Sequence, residues 1–89
     1  MRNMILAIDI GNTNIVVGCI EEKKIYFIER ISTNHTKTEL EYAIDLKTII
    51  DIHHIKRSDI EGSIISSVVP QITNAVKLAV EKILKKEPM

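Results

Sequence analysis

Cysteine is almost absent from this 89-residue sequence, in which Cys19 stands alone. A single cysteine cannot form a disulfide within the chain, and this usage is typical of a reducing compartment, so we expect a cytoplasmic protein. An excess of charge of either sign is also absent, because 12 Lys and Arg balance 12 Asp and Glu. The balance gives no electrostatic argument for nucleic acid or an anionic membrane, and neither is expected as a partner.

Aromatic residues make up only 3% of the sequence, whereas apolar residues make up 45%, so any core must be aliphatic. Long apolar runs are missing, since none approaches the roughly 18 residues that a membrane span needs. The apolar run near the N-terminus contains Asp9, which argues against a targeting segment. A chain of this length predicts one small domain, covering residues 1–89.

The hydrophobic pattern predicts the element order β-β-β-α-β-α and hence an α/β fold. The predicted strands are residues 4–10, 15–20, 25–31 and 63–68, and the predicted helices are residues 39–53 and 71–85. Short links between the first three strands favour an antiparallel meander. The fourth strand is reached through a helix, so we expect it to lie parallel to the first strand in a mixed sheet.

Both helices carry start signals in the sequence. Thr38 and Glu41 have the spacing of a capping box, and Pro70 suits the first turn of the last helix. The last helix has one continuous apolar stripe. The first helix has apolar residues spread widely around it, which predicts burial on more than one side; these are Leu40, Ala43, Ile44, Leu46, Ile49, Ile50 and Ile52.

A carboxylate lies near the end of the first predicted strand, and a turn sequence separates this strand from the second. Asp9 lies near the end of an apolar strand, and Gly11, Asn12, Thr13 and Asn14 follow it. A carboxylate at a strand end can anchor a hydrated Mg²⁺, glycine lets the backbone turn, and successive amides of such a turn can bind an anion. These residues together suggest a phosphate clamp with its metal.

The same residue types also form ordinary hairpin turns, which is the alternative interpretation. Asp9 favours the functional one, since a turn does not need a charge in a buried strand and burying an unpaired charge is costly. Neither GxxxxGK[ST] nor GxGxxG occurs, so the common nucleotide-binding loops are excluded.

Other candidate site residues have simpler interpretations. His53 and His54 are neighbours near a helix end and point about 100° apart, which suits capping or a surface position better than metal binding. Ser66 and Ser67 lack the glycines of a nucleophile elbow, so we expect a structural role at the junction into the last helix. Cys19 is expected to be a buried small hydrophobe.

Three segments together carry a family resemblance: "AIDIGNTNIVVG", "RIST" and "IISSVVP". In this order the chain resembles the start of a type III pantothenate kinase, a family within the superfamily of actin, hexokinase and Hsp70-type ATPases. The predicted element order matches the ribonuclease H-like unit that this superfamily duplicates. The resemblance extends over essentially all 89 residues and implies a single ribonuclease H-like, ATP-binding domain, the first half of a longer two-domain kinase.

The resemblance implies transfer of the γ-phosphate of ATP to pantothenate, the first step of coenzyme A synthesis. The family's ATP-binding loop falls on Asp9, Ile10, Gly11, Asn12, Thr13, Asn14, Ile15 and Val16. Asp9 would hold the metal–phosphate assembly. The resemblance also implies Mg²⁺, a monovalent cation (K⁺ or NH₄⁺) and a homodimer.

The sequence departs from the family in one large respect. The "GADR" motif, which carries the family's pantothenate contacts and catalytic aspartate, does not occur in these 89 residues. We therefore expect no catalytic residue and no monovalent-cation site in this chain, and no turnover by it alone. The alternatives are a non-catalytic relative, acting as a transcriptional accessory factor or a nucleotide-binding module, and a domain whose loop binds nothing.

Overall fold

The chain folds as three strands, a helix, a fourth strand and a second helix, which confirms the predicted order. The computed structural model describes residues 2–86 and 88–89. Its elements are β1 (Met4–Ile10), β2 (Asn14–Glu21), β3 (Lys24–Ser32), α1 (Glu39–Ile52), β4 (Ile60–Ser67) and α2 (Pro70–Leu84), with a short 3₁₀ turn at Arg57–Asp59. In the part of the chain described, neither helix is long and apolar enough to cross a membrane.

The four strands form one mixed sheet in the order β3-β2-β1-β4. The pairs β1–β2 and β2–β3 are antiparallel, while β4 lies parallel to β1. The expected meander and parallel pairing are both confirmed. β4 begins three residues earlier than predicted, because Ile60 already pairs with Met4. The carboxyl ends of β1 and β4 consequently meet at one edge of the sheet.

Both helices cover the same face of the sheet. Alternate residues of β1 (Met4, Leu6, Ile8 and Ile10) are buried and join residues of both helices in a single core cluster. The two helices also pack against each other. Among residues 2–86 and 88–89, no helix covers the other face, so the intervening residues of the strands remain partly or fully exposed, except Gly62, which lies beside Met89.

α1 is buried on the sides that meet the sheet and α2, as expected, but several of its apolar residues are not buried. Leu40, Ile44 and Ile52 are each more than half exposed. The buried residues of α1 are Tyr42, Ala43, Leu46, Ile49 and Ile50. The helix is buried only where it meets the sheet and α2, because the described chain supplies no further layer.

The helix ends follow the sequence signals. The Glu41 N–H donates to Thr38 Oγ1 at 3.2 Å and the Thr38 N–H donates to Glu41 Oε1 at 3.0 Å, which confirms the capping box. Pro70 lies in the first turn of α2, as predicted. α1 ends at Ile52, since His53 leaves the helical conformation as its C-cap. His53 Nε2 lies 2.7 Å from Glu29 Oε2, which fastens this end of α1 to β3.

Candidate functional site

The loop singled out in the sequence lies where β1 ends. Asp9 and Ile10 are the last two residues of β1, and Gly11–Thr13 lead into β2. β4 ends beside them, with Ser66 paired to Asp9 in the parallel register. Ligands of α/β sheets bind at the carboxyl ends of parallel strands, so this edge is the place where a site is expected.

Asp9 lies on the helix-free face of the sheet and is exposed. The premise that its charge is inside a buried strand is therefore wrong, because β1 is buried on one face only. The Asp9 carboxylate has no hydrogen bond or ion pair to any residue within 2–86 and 88–89. The carboxylate is consequently free to bind a ligand without first breaking an internal contact.

A row of register partners crosses the sheet at Asp9. Arg30 of β3 pairs with Val16 of β2, Val16 pairs with Asp9, and Asp9 pairs with Ser66 of β4. Directly paired residues lie on the same face of a sheet. The row therefore presents a cation, an apolar side chain, a carboxylate and a hydroxyl on the helix-free face.

A shallow cavity of about 360 Å³ extends from this row along the helix-free face. Asp9 and Ser66 line its polar part, and aliphatic residues line the rest: Ala7, Ile8, Val16, Gly18, Ile20, Ile25, Ile28 and Ile64. Ligand sites in proteins are typically concave and apolar with a few polar groups that fix orientation. The composition of this cavity fits that description.

The turn after Asp9 is closed by a short main-chain contact. The Gly11 N–H donates to the Asn14 carbonyl at 2.9 Å. A Cβ atom on Gly11 would lie 3.1 Å from the same oxygen, closer than side-chain carbons normally approach. Gly11 does not have a positive φ. Glycine is favoured here by the close approach of two parts of the loop rather than by a left-handed conformation.

The carbonyl groups of the loop are held by other segments. The Val68 N–H donates to Ile10 at 3.0 Å, and Thr33 donates to Gly11 through its hydroxyl at 2.7 Å and to Thr13 through its N–H at 2.9 Å. Within the described ranges, the N–H groups of Asn12 and Thr13 donate to no other protein group. Neighbouring free amides in a turn form an anion-binding concavity.

The eight predicted loop residues divide into three groups by burial. Asp9, Asn12, Thr13 and Asn14 are exposed, and Gly11 and Val16 are half-buried. Ile10 and Ile15 are buried on the helix face, so they can offer a ligand only their main chain. The sequence prediction did not include Thr33 in the site, although it ends the "RIST" segment that contributed to the resemblance.

The Asp9 carboxylate at this edge of the sheet is a suitable ligand for Mg²⁺. Mg²⁺ is commonly bound by one or two carboxylates together with phosphate oxygens and waters, rather than by a cage of protein ligands. Asp9 supplies one carboxylate on the loop side of the sheet. Residues 2–86 and 88–89 contain no cluster of three His, Cys, Asp or Glu side chains that could hold a metal without such a co-ligand.

The remaining candidates have structural positions. Ser67 Oγ accepts from the Val69 N–H at 2.9 Å and from Thr73 Oγ1 at 2.8 Å, which joins β4 to α2. This agrees with the structural role predicted for Ser67, whereas Ser66 lies in the cavity lining. Cys19 is buried, and burial raises the pKa of its thiol. His54 is exposed, as its surface interpretation predicted.

Comparison with known proteins connects this site to a family. The family pattern described as "Type III pantothenate kinase" matches residues 5–89. The chain is 43% identical over 89 residues to a type III pantothenate kinase of Finegoldia magna, covering 100% of this chain and 34% of the relative. It is 41% identical over 86 residues to that of Bacillus cytotoxicus, covering 97% of this chain and 33% of the relative.

The chain thus spans about a third of the length of the relatives that it matches. The match includes the loop after β1, the segment that ends in Thr33 and the end of β4, which meet at one edge of the sheet. On this evidence the chain belongs to the type III pantothenate kinase family.

Proposed function

We propose that residues 9–16 bind the phosphate groups of ATP, and that the chain is the ATP-binding part of an enzyme that phosphorylates pantothenate. The observation that carries the proposal is the loop itself. It brings a free carboxylate, Asp9, and the free amides of Asn12 and Thr13 to the edge of the sheet where β1 and β4 end. Family membership supplies the substrates, since both relatives are named for pantothenate phosphorylation.

Each part of the loop has a distinct proposed role. Asp9 holds Mg²⁺, which neutralises charge on the phosphate groups when it is bound. The N–H groups of Asn12 and Thr13 donate to phosphate oxygens, and the exposed Asn14 follows them as the first residue of β2. Ile10 and Ile15 anchor the loop in the core, and Val16 forms part of the cavity floor.

We further infer that the 89 residues bind ATP without transferring its phosphate. Phosphoryl transfer depends on holding both substrates in line and on stabilising charge. The loop provides one half of that arrangement, and the chain covers about a third of its relatives. The catalytic base, the pantothenate contacts and the site for K⁺ or NH₄⁺ are accordingly assigned to sequence beyond these 89 residues.

The outer surface of α1 supports a proposal about assembly. Leu40, Ile44 and Ile52 are 58%, 56% and 62% exposed there. Exposed apolar surface commonly marks an interaction site. We propose that the chain forms a homodimer through this surface, which leaves the cavity beside Asp9 open. The balanced charge and the single buried Cys19 favour a cytoplasmic protein without nucleic-acid or membrane partners.

Calorimetric titration with ATP and Mg²⁺ tests the proposed binding. The wild-type chain is expected to bind, and Gly11→Ala is expected to weaken binding because its Cβ would displace the Asn14 carbonyl. Ser58→Ala is the control, since Ser58 is exposed in the 3₁₀ turn before β4, at the edge of the sheet opposite the loop. Absence of binding to the wild-type chain, or equal affinities in both variants, would contradict the proposal.

A second pair of variants separates the carboxylate from general charge effects. Asp9→Asn is expected to abolish the Mg²⁺ dependence of ATP binding. Asp51→Asn removes an equal charge from the exposed surface of α1 and is expected to leave the dependence intact. A coupled ADP-release assay with pantothenate and K⁺ is expected to show no turnover by the 89-residue chain. Pantothenate-dependent turnover would contradict the assignment of the catalytic base to other sequence.

A further inference from the structure

Thr33 joins the end of β3 to the loop between β1 and β2 by two hydrogen bonds. Its hydroxyl donates to the Gly11 carbonyl at 2.7 Å, and its own N–H donates to the Thr13 carbonyl at 2.9 Å. The two acceptors are two residues apart and enclose Asn12. One residue therefore fixes the loop at both ends of the segment that carries the free amides.

Thr33 is in turn supported from the helix layer. The Tyr42 hydroxyl donates to the carbonyl of Asn34 at 2.7 Å and accepts from the Asn34 N–H at 3.1 Å. Tyr42 is only 1% exposed, so the core holds its ring in place. Because Asn34 follows Thr33 directly, a residue of α1 restrains the segment that restrains the loop.

The two contacts bear directly on anion binding. A site whose donors are already fixed loses less conformational freedom when the ligand binds, and its dipoles need less reorganisation. The carbonyl of Gly11 precedes the Asn12 N–H in one peptide group, and holding that carbonyl also sets the direction of the N–H. Thr33 thereby orients an amide that it does not contact.

We propose that Thr33 is a positioning residue for phosphate binding, and that Tyr42 supports it. The inference rests on the proposed function, because it assigns Thr33 the task of ordering the loop for the phosphate groups of a nucleoside triphosphate. Thr33 itself need not touch the ligand. A merely structural role would instead change the stability of the whole fold without changing the loop selectively.

Three variants distinguish these roles. Thr33→Val removes the hydroxyl at nearly constant shape, and Thr33→Ser retains it. Thr48→Val is the matched control, because the Thr48 hydroxyl also donates to a main-chain carbonyl, that of Ile44 at 2.7 Å, but on the surface of α1. All three are compared with the wild-type chain by calorimetric titration with ATP and Mg²⁺ and by ¹⁵N relaxation.

Thr33→Val is expected to bind ATP about tenfold more weakly, as the loss of one hydrogen bond of ordinary strength predicts. Its amide order parameters at Asn12 and Thr13 are expected to fall from about 0.85 to below about 0.6, the range of flexible backbone. Thr33→Ser is expected to restore both values. Thr48→Val is expected to leave both unchanged.

Wild-type affinity and loop order in Thr33→Val would overturn the inference, and so would equal losses in Thr48→Val. If the wild-type chain failed to bind ATP, the proposed function would be contradicted and the role of Thr33 in phosphate binding with it. A loss of loop order in Thr33→Val alone would then still show that Thr33 fixes the loop. The relaxation data thus separate failure of the inference from failure of the proposed function.

Discussion

Tyr42 and Asn34 form a closed pair of hydrogen bonds. The Tyr42 hydroxyl donates to the Asn34 carbonyl at 2.7 Å and accepts from the Asn34 N–H at 3.1 Å. Tyr42 lies on the buried face of α1, whereas Asn34 lies in the exposed segment after β3. The pair connects the helix layer to the edge of the sheet at which the loop lies.

The first prediction concerns this pair. Tyr42→Phe is expected to lower the free energy of unfolding by about 1–2 kcal/mol. The substitution removes the hydroxyl that bonds to Asn34, while the ring still fills the same space in the core. Urea denaturation provides the measurement. Tyr26→Phe is the control, since Tyr26 is exposed, and a surface change of this kind stays within about 0.5 kcal/mol. Equal losses in the two variants would contradict the role assigned to the Tyr42 hydroxyl.

The second prediction concerns the turn between β2 and β3. Glu22 and Lys23 have φ angles of 50° and 68°. Residues other than glycine and asparagine adopt such positive φ angles only at a cost in conformational energy. Replacing them together (Glu22→Asn with Lys23→Gly) is expected to raise the free energy of unfolding by about 1 kcal/mol, since Asn-Gly suits a two-residue hairpin. Lys23→Val should lower it instead, because a β-branched residue disfavours positive φ. A change of the same sign in both variants would show that the turn is not strained.

The third prediction is a pH dependence. The hydrogen bond from the Thr38 N–H, together with the Thr38 hydroxyl contact, lowers the pKa of Glu41 below its ordinary value. A carboxyl with a lowered pKa stabilises the fold above its unfolded pKa, and this contribution is lost as the pH falls through the folded pKa. Glu41→Gln should therefore melt at a lower temperature than the wild-type chain at pH 7, with the difference vanishing at low pH.

Thr38→Ala is the companion variant for the pH series. Its hydroxyl does not titrate within the measured range, so loss of the cap is expected to cost about 1 kcal/mol at both neutral and low pH. Thermal unfolding followed by circular dichroism at several pH values separates the two behaviours. A Glu41→Gln difference that persisted unchanged at low pH would show that the carboxylate charge does not contribute through the capping box.

The fourth prediction concerns association. Sedimentation of the wild-type chain is expected to show a dimer, because the outer surface of α1 exposes Ile44 among other aliphatic residues. Ile44→Lys should shift the population to monomer. Ile28→Lys places the same charge at an exposed position on the helix-free face and should leave the dimer intact. A wild-type monomer across a wide concentration range would argue against the proposed interface.

Local signals in the sequence predicted most of the fold. Apolar runs separated by short links placed the strands, the Thr38–Glu41 spacing gave the capping box, and Pro70 marked the start of α2. The parallel pairing of β1 and β4 followed from the helix between them. These features depend on residues close together in the chain or on the type of connection between two strands, and sequence patterns record both.

The errors concern what lies on each side of an element. Asp9 was expected in a buried strand and is exposed, because a strand pattern does not show which face a second layer covers. The same limit explains the exposed Leu40 and Ile44 of α1. Thr33 and Tyr42 were missed as partners of the site since Thr33 is 22 residues from Gly11, and no spacing rule connects positions that far apart.

The central claim, that the loop after β1 binds the phosphates of ATP, is tested most directly by mapping amide chemical shifts. The ¹⁵N-labelled chain is titrated with ATP and Mg²⁺, and each backbone N–H is followed separately. The account predicts the largest shifts at Gly11, Asn12, Thr13 and Asn14, with smaller ones at Ser66 across the sheet. Shifts confined to the helix layer, or none at millimolar ATP, would contradict it.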